Sequence, residues 1–185
     1  MEGKLVFEGK SSKGRPFLIR YPKRSDIQLM FYYVNRLSSE QTFISYQGEQ
    51  VSLDFETRYL NNQLELIANK LGVTLLAFSE DTLVGVSSIN MKERTSKHTG
   101  IFSLSVDADF RGEGIGRNLM EMVLKEAEEK LPSLQIVVLS LFASNAKARE
   151  MYEKFGFKEY GRLPKGLLYK GEYIDHEFMY KNIKE

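Results

Sequence analysis

A glycine-rich segment carries the first chemistry that the sequence suggests. It runs from Val106 to Arg117, reads VDADFRGEGIGR, and lies between a predicted strand and the start of a predicted helix. Because glycine has no Cβ, backbone N–H groups can approach an anion closely, and the first turn of a helix adds unpaired N–H donors at the positive end of its dipole. The segment therefore predicts a phosphate or pyrophosphate site, to which Arg111 and Arg117 could add positive charge.

This pattern alone is weak, because a glycine-rich turn without a ligand has the same residues. A P-loop requires Lys and then Ser or Thr after its last glycine, whereas Arg117 and Asn118 follow Gly116 here. A dinucleotide fingerprint, GxGxxG with a later acid for the ribose, is also missing from the sequence. These differences argue against ATP and NAD as the phosphate-bearing ligand.

A second segment makes the first one more specific. It runs from Asn145 to Phe157 and reads NAKAREMYEKFGF. The pattern RxxGxG at Arg111 to Gly116, followed by NxxAxxxY and Gly-Phe in the second segment, resembles the two signature motifs of the GNAT superfamily of acyl-CoA N-acyltransferases. The resemblance covers roughly residues 98–158 firmly, and the first 50 residues only in outline.

The resemblance implies where coenzyme A would bind. The strand before the loop would pair through its backbone with the pantetheine arm, and the loop and following helix turn would wrap the pyrophosphate. The cofactor-binding residues implied in this way are Leu104, Ser105, Val106, Arg111, Gly112, Glu113, Gly114, Ile115, Gly116, Arg117, Asn145 and Ala148. Asn145 is also a natural N-cap of the helix that it opens, and the two roles are compatible.

Tyr152 is the catalytic residue that the resemblance implies, as the general acid that protonates the departing thiolate. It lies two helical turns after Asn145, on the same face of the predicted helix. The thiol of coenzyme A has a pKa like that of a cysteine side chain, about 8.5, whereas tyrosine has a pKa of about 10. Proton donation from tyrosine to the departing thiolate is therefore slightly uphill. The alternative is a tyrosine that only packs in the core.

The general base is left unassigned by the sequence. Attack needs a neutral amine, so a base or a desolvating site is required. The resemblance leads us to expect a carboxylate on the strand before the loop, but small residues occupy that strand and the next one: Gly100, Ser103, Ser105 and Ser140. The polar alternatives near strand ends and loops are Glu93, His98, Asp107 and Asp175.

Hydrophobic spacing and turn residues predict the elements that position these segments. Helices are predicted over 24–37, 54–71, 115–130 and 145–155, and strands over 16–21, 73–78, 83–91, 100–106 and 135–143, with a strand pair in the tail. The fold class is α/β with a mixed sheet of α+β type, GNAT-like. An antiparallel meander is followed by a short parallel β-α-β section and a C-terminal strand pair, in a single domain over residues 1–185.

Composition excludes several other functions. Twenty-six Lys and Arg against 25 Asp and Glu give a formal net charge of +1, so no overall field favours nucleic acid or an anionic membrane. The absence of cysteine excludes disulfides, a thiolate nucleophile and a Cys-ligated metal, and two histidines make a structural zinc improbable, so no metal is expected. The N-terminus lacks a signal-peptide pattern, and we expect a cytoplasmic protein.

These inferences predict an enzyme that transfers an acetyl group from acetyl-CoA to a primary amine. The acceptor would be a protein N-terminal or lysine amine, or a small-molecule amine. Direct attack in a ternary complex is expected, since no cysteine can carry the acetyl group. The alternatives are a non-catalytic acyl-CoA sensor and a structural domain whose loop is only a turn. A homodimer is compatible with the resemblance, but neither the acceptor nor the oligomeric state follows from the sequence.

Overall fold

The computed structural model describes residues 1–184, within which eight strands form one mixed sheet and four α-helices are present. The strands are β1 (Leu5–Lys10), β2 (Pro16–Arg20), β3 (Gly72–Ser79), β4 (Thr82–Met91), β5 (Thr99–Val106), β6 (Ile136–Phe142), β7 (Lys158–Tyr169) and β8 (Glu172–Asn182). The helices are α1 (Ile27–Ser39), α2 (Leu53–Ala68), α3 (Ile115–Lys130) and α4 (Ala146–Lys154). The strand order is β1-β2-β3-β4-β5-β6-β8-β7. This confirms the predicted fold class.

Two differences from the predicted elements have clear physical causes. Strand β1 was not predicted, because it is an edge strand in which no residue is fully buried, so its sequence lacks an apolar alternation. The first helix begins at Ile27, after a 3-10 turn, rather than at residue 24. Asp26 causes this turn, since its carboxylate accepts from the N–H of Lys23 at 2.7 Å and binds both terminal nitrogens of Arg20 at 2.7 and 2.8 Å.

The chain forms two compact units, which we call unit 1 (1–90 and 103–132) and unit 2 (91–102 and 133–184). The prediction of a single domain over residues 1–185 stays a prediction.

Unit 1 contains the antiparallel meander and three helices. Strands β3 and β4 pair from Gly72 with Asn90 to Ser79 with Thr82, which is the predicted hairpin. The end of β5 is antiparallel to β4, as hydrogen bonds join Asp107 to Val84 and Ser103 to Ser88. Helices α1 and α2 cover this sheet through a buried cluster made up of Met30, Tyr33, Leu37, Leu60, Leu64, Leu76, Phe78 and Leu83.

Unit 2 contains the parallel pair and the C-terminal hairpin. The start of β5 pairs in parallel with β6, in a register that runs from Thr99 with Ile136 to Ile101 with Val138. Strand β8 is antiparallel to β6, and β7 is antiparallel to β8. This confirms the short parallel section and the final strand pair. None of the helices within residues 1–184 is long and apolar enough to span a membrane.

The packing of α3 on the meander yields a stability prediction. Leu119 is 0% exposed, and its Cδ1 atom lies where a Cβ on Gly85 would approach to 2.7 Å, so the side chain fills the space above that glycine. We expect Leu119→Ala to lower the free energy of unfolding by about 2–5 kcal/mol, because it leaves a cavity. Urea denaturation measures this loss. Glu121→Ala, at an exposed position of the same helix, is the control and should change the value by less than about 0.5 kcal/mol; similar losses in both variants would contradict the account.

Candidate functional site

The predicted site residues fall into two groups, one in each unit. Unit 1 holds the glycine-rich loop with the end of β5, and unit 2 holds the segment that opens α4. Each group is described on its own below.

The backbone of the loop is arranged around two left-handed glycines. Gly112 has φ of +75° and Gly114 has φ of +86°, a region that side chains with a Cβ rarely adopt. Gly114 is the N-cap of α3, and its carbonyl accepts from the N–H of Asn118 at 3.1 Å. The N–H groups of Ile115, Gly116 and Arg117 therefore precede the first bond of the helix and have no acceptor within it. Such a helix start is suited to an anion.

Gly116 brings the start of α3 close to the end of β5. A Cβ at this glycine would lie 3.3 Å from Val106 Cγ2 and 3.8 Å from Leu104 Cδ2. On the same strand, the hydroxyl of Ser105 is hydrogen-bonded to that of Tyr33 on α1 at 3.0 Å. The structure thus brings Leu104 and Val106 to the start of α3, whereas the side chain of Ser105 points to the opposite face of β5, toward α1.

Glu113 points its side chain away from the helix start, into unit 1. The carboxylate is buried, accepts from Ser11 Oγ at 2.8 Å, and lies 3.2 Å from Lys13 Nζ and 3.6 Å from Arg15 Nη1. Its own carbonyl accepts from the N–H of Ser12 at 3.0 Å. The Ser11 hydrogen bond, with support from Lys13 and Arg15, holds the pKa of Glu113 below its usual value.

Glu113 is therefore the anchor that fixes the loop to the turn between β1 and β2. Sequence reasoning assigned this residue to cofactor binding without foreseeing the anchor. Its partners are about a hundred positions away in the chain, and they belong to a turn whose first strand was not predicted. Only the run of hydroxyl and basic residues at 11–15 could have hinted at a carboxylate partner.

The two arginines of the loop have different environments. Arg111 donates through Nε to the carbonyl of Val106 at 2.8 Å and pairs with the Glu40 carboxylate, so its guanidinium is already engaged. Arg117 is exposed in the first turn of α3. The nearby Asp107, one of the polar residues considered as a base, is buried and paired with Arg36, which assigns it to the scaffold.

In unit 2, Asn145 caps α4. Its side-chain oxygen accepts from the N–H of Ala148 at 3.2 Å, as the capping interpretation predicts. The amide nitrogen of the same side chain carries two further donors, so a cap can also bind a ligand.

Tyr152 lies on the inner face of α4 and is 8% exposed. Its ring packs edge-on against Phe102, with centroids 5.9 Å apart, and against Phe157 at 6.1 Å. Burial raises the pKa of Tyr152 to about 12. The phenol therefore keeps its proton at neutral pH, which is the form that a general acid needs.

An ion-pair network around the buried carboxylate of Glu177 fixes α4. Arg149, one turn before Tyr152, binds Glu177 of β8 through Nη1 at 2.9 Å and Glu159 of β7 through Nη2 at 2.9 Å. Arg162 Nη2 reaches the same oxygen of Glu177 at 3.0 Å. Glu177 is 0% exposed, so its charge depends on both arginines. This network holds the face of α4 that carries Tyr152 against the C-terminal hairpin.

The other residues considered as a base have scaffold or surface positions. Glu93 and His98 are exposed, and the backbone carbonyl of His98 accepts from Gln135 at 2.8 Å. Asp175 accepts from the N–H of Lys165 at 3.0 Å and so holds an irregular stretch of β7. None of the three is placed as a desolvated base within the described residues.

Sequence comparison finds relatives with a common activity. The model of the Acetyltransferase (GNAT) family matches residues 32–157. An L-amino acid N-acetyltransferase, AaaT of Escherichia coli, is 29% identical over 117 residues, which cover 62% of this chain and 72% of the relative. The [ribosomal protein bS18]-alanine N-acetyltransferase of Escherichia coli is 33% identical over 121 residues, which cover 65% of this chain and 64% of that relative.

Structural comparison agrees. A GNAT-family acetyltransferase from Streptococcus pneumoniae superposes with a TM-score of 0.83 at 26% identity, over 91% of this chain and 99% of the other. Solved structures with this fold include complexes with acetyl-CoA.

The Glu113 anchor predicts a pH-dependent stability difference. Glu113→Gln should lower the melting temperature at pH 7, because it removes the charge that Lys13 and Arg15 face in the folded protein. A carboxylate whose folded pKa is lowered stabilises the fold above its unfolded pKa of about 4.3 and loses that effect as the pH falls further. The difference in melting temperature between wild type and Glu113→Gln should therefore become smaller below about pH 4.3.

Thermal unfolding at pH 7 and at several lower pH values measures this gap. Glu128→Gln, an exposed position on α3, is the matched control and should show little effect at any pH. A Glu113→Gln gap that stays constant as the pH falls would contradict the anchor role.

Proposed function

The chain belongs to the GNAT family of acetyltransferases, and we propose that it transfers an acetyl group from acetyl-CoA to a primary amine by direct attack in a ternary complex. Its family and its N-acetyltransferase relatives make it an enzyme of the acetyl-CoA-dependent N-acetyltransferase class. The observation that carries the proposal is the loop from Gly112 to Gly116, which leads unpaired N–H groups into the start of α3. Without a cysteine in the chain, a thioester-linked acetyl-enzyme cannot form.

The loop is proposed to hold the coenzyme A pyrophosphate. Backbone N–H groups from Gly112 to Arg117 would supply most of the donors, because the Arg111 guanidinium is engaged elsewhere and the Glu113 side chain is buried among its own partners. Arg117, exposed in the first turn, would add positive charge. Because backbone N–H groups bind the anion and the Glu113 side chain points elsewhere, the loop can contain an acidic residue although its ligand is an anion.

The pantetheine arm is proposed to bind along Leu104, Ser105 and Val106. The parallel register of β5 with β6 runs to Ile101, so these residues follow its last pair along β5 and are expected to offer backbone groups to the arm. Asn145 and Ala148, at the cap of α4, are proposed to contact the arm near its sulfur end.

Tyr152 is proposed to protonate the departing thiolate. Its pKa of about 12 lies above the ordinary thiol value of about 8.5, which disfavours the transfer in water. The burial that raises the phenol pKa also raises the pKa of a thiol beside it, since both lose a solvated anion. Burial of both groups therefore does not by itself widen the difference between their ordinary pKa values, and donation becomes feasible as negative charge develops on sulfur.

The acceptor is proposed to be the α-amine of an amino acid or of a protein N-terminus. The two relatives are named for an L-amino acid and for an alanine of a ribosomal protein, and an α-amine is the group that these two names share. An α-amine with a pKa of about 8 is neutral far more often at pH 7 than a lysine amine of about 10.4. A lysine or polyamine acceptor, a homodimer and a cytoplasmic location stay predictions.

Calorimetric titration with acetyl-CoA, with ATP and NAD as controls, tests the proposal when thiol release is then followed with a panel of amines. The panel should contain free amino acids, a short peptide, the same peptide with a blocked N-terminus and a free lysine, and a polyamine. We expect acetyl-CoA binding and amine-dependent thiol release. Binding without release across the panel would favour the sensor alternative, and no binding would overturn the cofactor assignment.

Gly114→Asp is expected to abolish acetyl-CoA binding. The substitution puts a side chain on a residue with φ of +86° and a negative charge at the helix start that is proposed to face the pyrophosphate. Gly171→Asp is the control, since Gly171 has φ of +81° and open space around it but lies in the hairpin turn between β7 and β8. The calorimetric titration should distinguish the two; equal loss of affinity would mean that backbone strain alone is responsible.

Tyr152→Phe is expected to lower kcat by roughly a hundredfold or more while the Kd for acetyl-CoA stays within about twofold. The variant keeps the ring that packs on Phe102 and removes only the hydroxyl. Tyr173→Phe, at a 68% exposed position, is the control for loss of a phenol. Steady-state rates together with calorimetry measure both quantities, and an unchanged kcat in Tyr152→Phe would remove the acid assignment.

A further inference from the structure

Transfer to an amine requires a group that takes the amine proton, and none of the residues considered from the sequence is placed to do so. Asp107 is paired with Arg36, Asp175 holds the backbone of β7, and Glu93 and His98 are exposed. A base at pH 7 must be unprotonated and near the reacting atoms. The remaining candidates are titratable side chains that the sequence did not single out.

The two faces of the sheet in unit 2 differ in their cover. On one face, Glu177 of β8 binds Arg149 of α4, so α4 covers this face. Side chains alternate between faces along a strand, and paired residues of neighbouring strands share a face. The opposite face therefore carries the other set, in which His176 and Phe178 of β8 lie across from Phe142 and Ser140 of β6.

This opposite face is accessible from outside unit 2. Ile101 on β5 is 49% exposed, Leu163 on β7 is 53% exposed and Tyr160 is 57% exposed, and Ser140 is exposed as well. We call it the open face. A ligand can therefore reach side chains on it.

His176 lies at one end of the open face. It is paired with Phe142, the last residue of β6, and with Leu163 of β7. Its ring is 4.5 Å from that of Phe178, and a Cβ on Gly166 would come within 2.8 Å of His176 Cβ, so the backbone of β7 closes over it on one side. In open sheets with parallel strands, ligands bind at the carboxyl ends of those strands, and His176 is beside the carboxyl end of β6.

We propose that His176 is the general base of the acetyl transfer and takes the proton from the acceptor amine on the open face. The proposal rests on the proposed function. His176 and Tyr152 lie on opposite faces of the sheet, so the proposal requires the thioester to lie beyond Ile101 and Val138, the last register pair of β5 with β6, where both faces can reach it.

The protonation state of His176 agrees with this role. Burial lowers the pKa of His176 below its ordinary value, so the ring is neutral at pH 7 and has a free nitrogen lone pair. The titratable groups that β7 and β8 place on the open face are Lys158, Tyr160 and Tyr169 of β7 and Glu172 and Tyr180 of β8, with Lys165 in the irregular stretch of β7. Strand β6 contributes the uncharged Ser140 and Phe142.

The proposed step balances in protons and bonds. The amine lone pair forms a bond to the thioester carbonyl carbon, and the amine proton moves to the free ring nitrogen of His176. The C–S bond then breaks, and the departing sulfur takes the phenolic proton of Tyr152. His176 ends with one extra proton and Tyr152 with one fewer, and exchange with solvent restores both.

His176→Gln tests the proposal, with His98→Gln as its matched control, because these are the two histidines of the chain. We expect His176→Gln to lower kcat by roughly a hundredfold or more, with a Kd for acetyl-CoA within about twofold of wild type. Wild type should lose rate as the pH falls through a value below about 6.5, and this loss should be missing from the residual rate of His176→Gln. His98→Gln should resemble wild type in both respects.

NMR of the imidazole protons provides a readout independent of activity. The signal that disappears in His176→Gln should titrate below about 6.5 in wild type and should shift when acceptor amine is added to the protein saturated with coenzyme A. An unchanged kcat or an unchanged pH profile in His176→Gln overturns the proposal and leaves the proposed function intact. If the variant does not fold, the imidazole signal that remains in His98→Gln identifies His176, and no shift of that signal when acceptor amine is added overturns the proposal. Wild type without thiol release for any amine would instead overturn the proposed function itself.

Discussion

The proposed cofactor site depends on one constraint, that several backbone N–H groups must face outward without partners at the start of α3. Such groups are costly unless a ligand or water satisfies them, and the chain can expose them only where side chains do not intervene. The left-handed conformations of Gly112 and Gly114 turn the loop into the helix, and Gly116 allows the helix to approach β5. The loop therefore presents backbone hydrogen-bond donors and no bulky side chains. Because these donors are fixed in position, they suit a phosphate ligand that always binds in the same orientation.

Carboxylates hold the two groups of site residues in place. Glu113 ties the loop to the turn before β2 in unit 1, and Glu177 ties α4 to the hairpin in unit 2. Both are buried and both face two basic side chains. Buried charges of this kind are costly to break, because the remaining partner is left without compensation. They give each unit a rigid platform, so that the proposed acid and the proposed phosphate donors do not depend on flexible side chains.

The sequence predicted the elements near the motifs better than the contacts that support them. The bounds of α3 were predicted to the residue, since its apolar spacing is regular and Pro132 follows its end. Strand β1 escaped notice because an exposed edge strand needs no apolar alternation. The Glu113 anchor could not be foreseen from local sequence, because it joins segments that only the folded sheet brings together.

His176 shows a second limit. Its proposed role depends on which face of β8 it occupies and on the register of β8 with β6, and the irregular, aromatic-rich tail did not define either. Asp175, the neighbouring residue, was among the four polar residues that the sequence offered as a base. Because side chains alternate along β8, Asp175 holds the backbone of β7, whereas His176, the next residue, lies on the open face.

Hydrogen–deuterium exchange of the loop amides with and without coenzyme A tests the central claim most directly. The account predicts that the N–H groups from Gly112 to Arg117 exchange rapidly in the free protein and become protected when coenzyme A binds. Pantetheine, which lacks the pyrophosphate, should leave them unprotected. If coenzyme A binds and these amides exchange as before, the loop does not hold the pyrophosphate, and the account of the site is wrong.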